Sequence, residues 1–412
     1  MSNWEEMILG DYIDLIPGYA FSSDLFNDSI GMPLIRIRDF ESQNPITYYS
    51  GEYDGKYIVN PGDKLISMDG EFNIIEWKGS CSLLNQRVCK IQSNNNEKMD
   101  IQFLMYRLVR ELKNIEARTP ATTVKHLSLK DLQFLKLSIP PLKEQQKIAE
   151  ILSSVDAAIE KTEQVIAKTE EVKKGLMQQL LTKGIDHKEF KDSKIGEIPI
   201  TWEVKKFKEI TDVLKCGVAS TPTYVEKGVP FLSAQNVKKG KLRLEKYNFV
   251  SEEYHEKLTK NVLPCRNDIL LTRVGANIGE AALVDIDFEF SVYVSLTHIR
   301  MNQGLNPMFY VYLLNSDKYQ KLSKHNQYVG GGVQNLNVKV VEEFLMPIPP
   351  LEEQNKIVNI LSSHDEKIVI ESRKLENLNK VKKGLMQELL TGKTRVKEAT
   401  MYSFLKELGY CE

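Results

Sequence analysis

The sequence predicts an α+β multidomain protein: two α/β domains separated by two long helices that pair as an antiparallel coiled coil. Three observations carry this reading. A stretch of 44 residues occurs twice. Each copy has the apolar period of a long helix. Each is preceded by a segment of similar size with the pattern of short strands and tight turns. A length of 412 residues accommodates two or three domains.

The repeat organises the chain. Residues 139–182 read IPPLKEQQKIAEILSSVDAAIEKTEQVIAKTEEVKKGLMQQLLT, and residues 348–391 read IPPLEEQNKIVNILSSHDEKIVIESRKLENLNKVKKGLMQELLT. They align without a gap, and 24 of 44 positions are identical. Pro141 and Pro350 suit a first helical turn, where a missing N–H costs nothing. Glu144 and Glu353 place negative charge near the helix N-terminus. Apolar residues then recur at three- and four-residue steps. In the first copy they are Ile148, Leu152, Val155, Ile159, Ile166, Val172, Leu176 and Leu180. In the second they are Ile357, Leu361, Ile368, Leu375, Leu378, Val381, Leu385 and Leu389. This is a near-heptad seam, interrupted by Thr162 and Thr169 in one copy and by His364 and Glu371 in the other. The stripe is too narrow for a globular core but right for two helices packed on each other. Roughly 37 residues at about 1.5 Å each make a rod of about 55 Å. Gly175 and Gly384 weaken matching helical positions by about 1 kcal/mol each, which close approach of the partner helix or of another subunit would explain. The adjacent pairs Lys173-Lys174 and Lys382-Lys383 read as a solvated face or as an interface.

The boundaries follow: residues 1–138 form a first domain, 139–185 a first helical region, 186–347 a second domain, 348–395 a second helical region and 396–412 a tail. Tyr402–Leu408 of the tail reads as a short amphipathic helix. Both domains open with Trp-Glu, at Trp4-Glu5 and Trp202-Glu203. The runs Pro33–Arg38 and Pro230–Val237 read as strands, as do Gly62–Ile66 and Asn267–Leu271. Ile101–Leu112 and Pro307–Leu322 read as helices. The helices are alike while the domains differ in sequence, the pattern expected of one frame carrying readers of two different targets.

Composition limits the chemistry. The five cysteines, Cys81, Cys89, Cys216, Cys265 and Cys411, are odd in number and none are in C-x-x-C spacing, which argues against a disulfide framework and a zinc site. No apolar run approaches a membrane span, and the opening Met-Ser-Asn-Trp-Glu-Glu lacks a signal region, so a reduced, cytoplasmic protein is expected. There is no G-x-x-x-x-G-K-[ST] phosphate loop and no N-P-P-[YF] or D-P-P-Y methyltransferase motif. One catalytic alternative is a metal-dependent nuclease built on Asp63 and Glu76-Trp77-Lys78, with two carboxylates for Mg²⁺. The matching place in the second domain has Asp268 but Glu280-Ala281-Ala282, without the lysine, and Asp63 is read instead as a strand start.

The repeated motif I-P-P-L-x-E-Q-x-K-I-x-x-I-L-S-S-x-D, followed by K-K-G-L-M-Q-x-L-L-T, resembles the two conserved regions of Type I restriction specificity subunits. The second domain is similar to the family's target-recognition pattern at Gly217–Pro222, Gly228–Leu232, Asn267–Arg273, Gly275–Gly279 and Gly330–Asn335. The linker resembles the family at His187–Lys191, Ile195–Pro199 and Trp202. The first domain is similar through Gly18–Phe21, Gly62-Asp63 and Leu84–Gln86. The resemblance covers about residues 1–395. It implies that each domain reads one half of a bipartite, gapped site on double-stranded DNA. It further implies that the paired helices set the gap, which at about 3.4 Å per base pair would be at most about 16 base pairs, and dock two methyltransferase subunits. This chain would then be non-catalytic and hold no cofactor. S-adenosylmethionine, ATP and Mg²⁺ would belong to the methyltransferase and restriction (motor) subunits. The alternative of a different class is a coiled-coil scaffold that reads no DNA.

Arginine to guanine and Asn or Gln to adenine are the favoured base contacts. In the first domain the candidates are Arg36, Arg38, Asn73, Gln86 and Arg87. Arg36 and Arg38 alternate with Ile35 and Ile37, as on the polar face of a strand. In the second domain they are Gln235, Asn236, Lys238, Arg273 and Asn277, with Gly275 and Gly279 permitting close approach to the sugar–phosphate chain. The Gly330–Gly332 loop adds Gly331 and Gln334, beside Tyr328. Bulk charge gives DNA binding little support. The chain has 55 Lys+Arg and 56 Asp+Glu; residues 1–138 carry 15 against 19, and residues 186–347 carry 22 against 20. Weak DNA affinity is therefore expected of the chain alone, and strong affinity only with its methyltransferase partners.

Overall fold

The structure, a computed structural model, describes residues 4–120, 124–218, 222–260, 262–325, 328–330 and 333–396. It divides into two compact units: Met1–Glu163 with Arg373–Glu412, and Gln164–Ser372. The division runs through the middle of both long helices, so each unit contains one domain and part of each helix.

In the first unit, strand Glu5–Ile8 pairs antiparallel with Lys136–Ile139, bringing the start of the domain to its end. The central sheet has four antiparallel strands in the order Ile13–Pro17, Val88–Ser93, Lys64–Ser67, Ile74–Glu76. A second sheet contains the parallel pair Met32–Ile35 and Ser82–Leu84. Helix Ile101–Arg118 starts where the Asp100 carboxylate accepts from Phe103 N at 2.7 Å. It buries Phe103, Leu104, Leu108 and Leu112 in a core with Ile66, Cys89 and Ile91 of the sheet. Burial pushes the Cys89 thiol up to about 12, so it packs as a small apolar side chain.

The second unit repeats the plan in a different sequence. Glu203–Lys206 pairs with Leu345–Ile348. The four-stranded sheet runs Thr211–Cys216, Leu296–Met301, Ile269–Thr272, Ala281–Leu283. Val229–Leu232 pairs parallel with Ser291–Val292. Here the predicted Pro307–Leu322 helix is two, Pro307–Asn315 and Asp317–His325, broken at Ser316. The duplication therefore includes the domains, whose fold persists where sequence likeness has faded.

The repeats form helices Leu142–Lys183 and Leu351–Leu389. In the first unit, Ile148, Leu152 and Val155 share a core with Leu385 and Leu389, and Ile159 packs against it. In the second unit, Leu180 shares a core with Ile357 and Leu361, and Leu176 packs against it. The beginning of each helix thus lies on the end of the other, which is the antiparallel pairing expected. Ile368 and Leu375, nearer the middle, are only half-buried.

One seam position differs from the sequence reading. Val172 is 45% exposed. A strict 4-3 alternation through Ile148, Leu152, Val155, Ile159, Thr162, Ile166 and Thr169 arrives at Lys173, and the same count in the second helix arrives at Lys382. Both lysines are occupied within the chain. In the second unit Lys173 Nζ lies 2.6 Å from Asp365, whose carboxylate also accepts from Tyr312 OH at 2.7 Å. In the first, Lys382 Nζ lies 2.6 Å from Asp156, which accepts from Tyr106 OH at 2.6 Å. Each clasp ties the two helices and the domain of its unit together. Gln145 and Gln354 are matching pins. Gln145 Oε1 accepts from Asp100 N and Gln354 Oε1 from Asn306 N, both at 2.9 Å, while their amides donate to Pro140 O and Pro349 O. Both domain helices therefore start against the same residue of the repeat. A Cβ on Gly175 would meet nothing within 4 Å, so close approach within the chain does not account for that glycine.

Candidate nucleic-acid interface

Each domain gathers matching turns at one end of its central sheet. In the first domain the chain leaves Ile13–Pro17 through Gly18, which lies so close to the next turn that a Cβ would sit 1.9 Å from Asn85 O. Tyr19 N donates to Leu84 O and Gln86 N to Tyr19 O, each at 3.0 Å. Arg87 reaches from this turn to Asp69 at 3.1 Å, and Asp69 also holds His126 Nδ1 at 2.6 Å. Ser67 N donates to Asn73 O at 2.9 Å, closing the neighbouring turn. Asn73, Gln86 and Arg87 are all exposed. In the second domain Gly217 takes the place of Gly18, with a Cβ position 2.1 Å from Val292 O. Val294 N donates to Val218 O, Arg273 N to Ser295 O and Gly279 N to Thr272 O. Asn277 is half-buried in the turn that follows Arg273.

A second pair of matching turns follows the parallel strands. The strand predicted over Pro33–Arg38 ends at Ile35, because the Asp39 carboxylate accepts from Arg36 N at 2.9 Å and turns the chain. Arg36 and Arg38 therefore do not share a strand face. The Arg36 guanidinium lies 5.0 Å from the centre of the Phe26 ring, and Arg38 donates to Thr47 Oγ1 while remaining exposed. In the second domain Asn236 plays the part of Asp39, accepting from Ser233 N at 3.0 Å. Gln235 and Lys238, on either side, are exposed.

Two candidates brace the fold. Asn236 is 1% exposed, and its amide donates to Arg243 O and Lys246 O, both at 2.8 Å. Arg273 is buried and donates to Leu336 O at 3.0 Å and Val294 O at 3.3 Å. Both amide hydrogens of Asn236 are spent on backbone carbonyls, and the Nε and Nη1 of Arg273 hold carbonyls on two other segments. Gly331 lies outside the described residues, as does Tyr402–Leu408. Gln334 lies in strand Val333–Asn335, paired with Tyr328–Gly330.

The metal-site alternative does not assemble. Glu76 is engaged by Lys64 at 2.6 Å, Asp63 lies 3.6 Å from Lys90, and Lys78 reaches Glu160. Among the described residues no three His, Cys, Asp or Glu side chains are grouped to hold a metal ion. Asp63 precedes strand Lys64–Ser67, and Asp268 holds the matching place before Ile269–Thr272. Burial would push the Asp268 carboxyl up, but hydrogen bonds from His298, Arg300 and Cys265 N outweigh it and hold the group down at about 2. This is an internal anchor. Among the described residues no helix is long and apolar enough to cross a membrane.

Sequence reasoning missed Tyr19, which is half exposed beside Gln86, although its place after Gly18 matches that of Val218 after Gly217. It also missed the pins and clasps, which identity between the repeats marks directly.

Residues 1–171 and 199–380 match the Type I restriction modification DNA specificity domain family. The chain belongs to this family. It is 33% identical over 414 residues to the Type I restriction enzyme MjaVIII specificity subunit of Methanocaldococcus jannaschii, covering 96% of this chain and 94% of the relative. It is 31% identical to the EcoBI specificity subunit of Escherichia coli, over 86% of this chain and 78% of that one. The crystal structure of the Type I restriction-modification S subunit from M. genitalium shares the fold, with a TM-score of 0.62 at 16% identity over 94% of this chain and 96% of that chain. Membership in the Type I specificity family makes DNA sequence specificity the function of this chain.

Proposed function

We propose that each domain reads one half of a bipartite DNA site, through residues on and beside its matching turns. In the first domain these are Asn73, Gln86 and Arg87 with Arg36 and Arg38; in the second they are Asn277, Gln235 and Lys238, with Gln334 and Gly331 of the glycine loop. One observation carries this reading. The same turns recur at the same end of the same fold, while the side chains on them differ. That is the arrangement needed to read two different half-sites from one frame.

The long helices form the frame and the docking surface for two methyltransferase subunits. Val172 is 45% exposed and Ile370 63% exposed, unusual for apolar residues on a paired helix, and Gly175 has open space above it. Two such partners suit a chain whose halves are related by the repeat. S-adenosylmethionine would be supplied by those subunits, and ATP with Mg²⁺ by restriction subunits; the reading gives this chain no catalytic step.

Sequencing the methylated bases of cells with and without this chain tests the proposal. A gapped, two-part motif that disappears on deletion is expected. Modification that is unchanged on deletion contradicts it.

A further inference from the structure

The second domain has a lysine-lined basin that its part in reading a half-site does not yet use. Helix Asp317–His325 is seated on the turn after Arg273. Gly279, at φ +88°, lies so close that a Cβ would meet the Ser323 side chain at 2.8 Å. Gln320 Nε2 donates to Gly279 O at 2.5 Å, locking helix to turn. This contact encloses a basin of about 280 Å³ lined by Lys239, Lys321 and Lys324 together with Asn277. All three lysines are exposed, and among the described residues no ion pair or hydrogen bond engages their ammonium groups. Two carboxylates also line the basin. Asp317 is engaged by Lys174 at 3.4 Å, and Glu280 has one carboxylate oxygen buried without a partner. Three free cations against one free carboxylate leave a positive basin, in a domain whose overall excess is only two charges (22 Lys+Arg against 20 Asp+Glu in residues 186–347). Gathering like charges is unfavourable unless an anion visits.

We infer that this basin is a phosphodiester cradle for the DNA backbone: Lys321, Lys324 and Lys239 hold the strand while Asn277, at its rim, faces the duplex. Lys321 and Lys324, three residues apart on one helix, are neighbours on its surface and suit phosphate oxygens. In the matching place of the first domain the lysines Lys113 and Lys125 are instead engaged, against Glu71 and Glu116. There Phe72 N donates to Glu116. The cradle therefore belongs to one half-site only, and it supplies grip without sequence information.

This inference rests on the DNA-reading assignment of the second domain, and the test separates the two. The full chain and its Lys321→Gln/Lys324→Gln variant are titrated against a fluorescein-labelled duplex of about 30 base pairs and random sequence, at salt from about 30 to about 150 mM. Each lost phosphate contact lowers the slope of log K against log salt by about 0.9, so the variant's slope is shallower by about 2, with affinity about tenfold lower at low salt. The methylated motif in cells keeps its sequence. Gly279→Ala, which lifts the helix but keeps the lysines, gives the same loss. Wild-type binding with an unaltered slope in the lysine variant overturns the cradle and leaves the DNA-reading assignment standing. No measurable binding by the wild-type chain at the lowest salt also overturns the cradle, while the DNA-reading assignment is decided separately by the methylated motif in cells.

Discussion

The clasp at Asp365 offers a quantitative test of how the helix pair is held. Its carboxylate takes a hydrogen bond from Tyr312 OH at 2.7 Å and an ion pair from Lys173 at 2.6 Å, with side-chain exposures of 19% for Lys173 and 30% for Asp365. A hydrogen bond to a charged group contributes about 1.5–3 kcal/mol, and a pair of this exposure adds about 1 kcal/mol. Asp365→Ala is therefore expected to cost about 3 kcal/mol. Part of that loss falls on Tyr312, which is 3% exposed and keeps only a 3.2 Å contact with Ser362. A double-mutant cycle with Lys173→Met and Asp365→Asn is expected to give a coupling of about 1 kcal/mol, read from urea denaturation. Lys174 is the internal control. It pairs with Asp317 at 3.4 Å with exposures of 73% and 69%, so Lys174→Met should stay within about 0.5 kcal/mol of wild type. Losses of equal size at Lys173 and Lys174, or a coupling below about 0.3 kcal/mol, would refute a seam role for Lys173.

Three further outcomes follow from the same geometry. Asn236→Ala removes three backbone partners from a buried turn and should destabilise the second unit by about 2–3 kcal/mol in denaturant melts, rather than change the motif that is read. Asp268 is held at about 2, below its ordinary 3.8. Its contribution, about 2 kcal/mol, is complete above pH about 4 and is lost as the pH falls towards about 2; Asp268→Asn should abolish that part of the acid transition in a pH series of melts. Gly175→Ala should raise the stability of the chain by about 1 kcal/mol, because nothing crowds the new methyl group. It should also weaken capture of the methyltransferase in a pull-down; unchanged capture would remove that surface from the docking face.

The helices were legible because their signal is local and doubled: two copies of one heptad pattern, capped alike. The antiparallel sense shows in the packing, where the start of each helix shares a core with the end of the other. What the apolar pattern misjudged was the phase near Val172, where the seam continues through a lysine. An apolar count passes over Lys173 and Lys382, although their pairing with Asp365 and Asp156 is written in the identical parts of the repeats. In the domains, the run Pro33–Arg38 read as a strand, but a carboxylate three residues on from Arg36 is a turn signature, and it prevailed. The braces were less legible. Asn236 is satisfied by carbonyls seven and ten residues away, and Arg273 by one 63 residues away. Residue type suggested base contacts at both, and only the tertiary fold shows the backbone carbonyls that their donors hold.

The claim at the centre is that each domain answers for one half of the site. Exchanging residues 9–135 for the matching segment of a relative, and sequencing the methylated bases in cells that supply the other subunits, addresses it most directly. The account predicts a new motif in which one half changes while the other half and the gap are retained. A motif changed in both halves, or in neither, would contradict it.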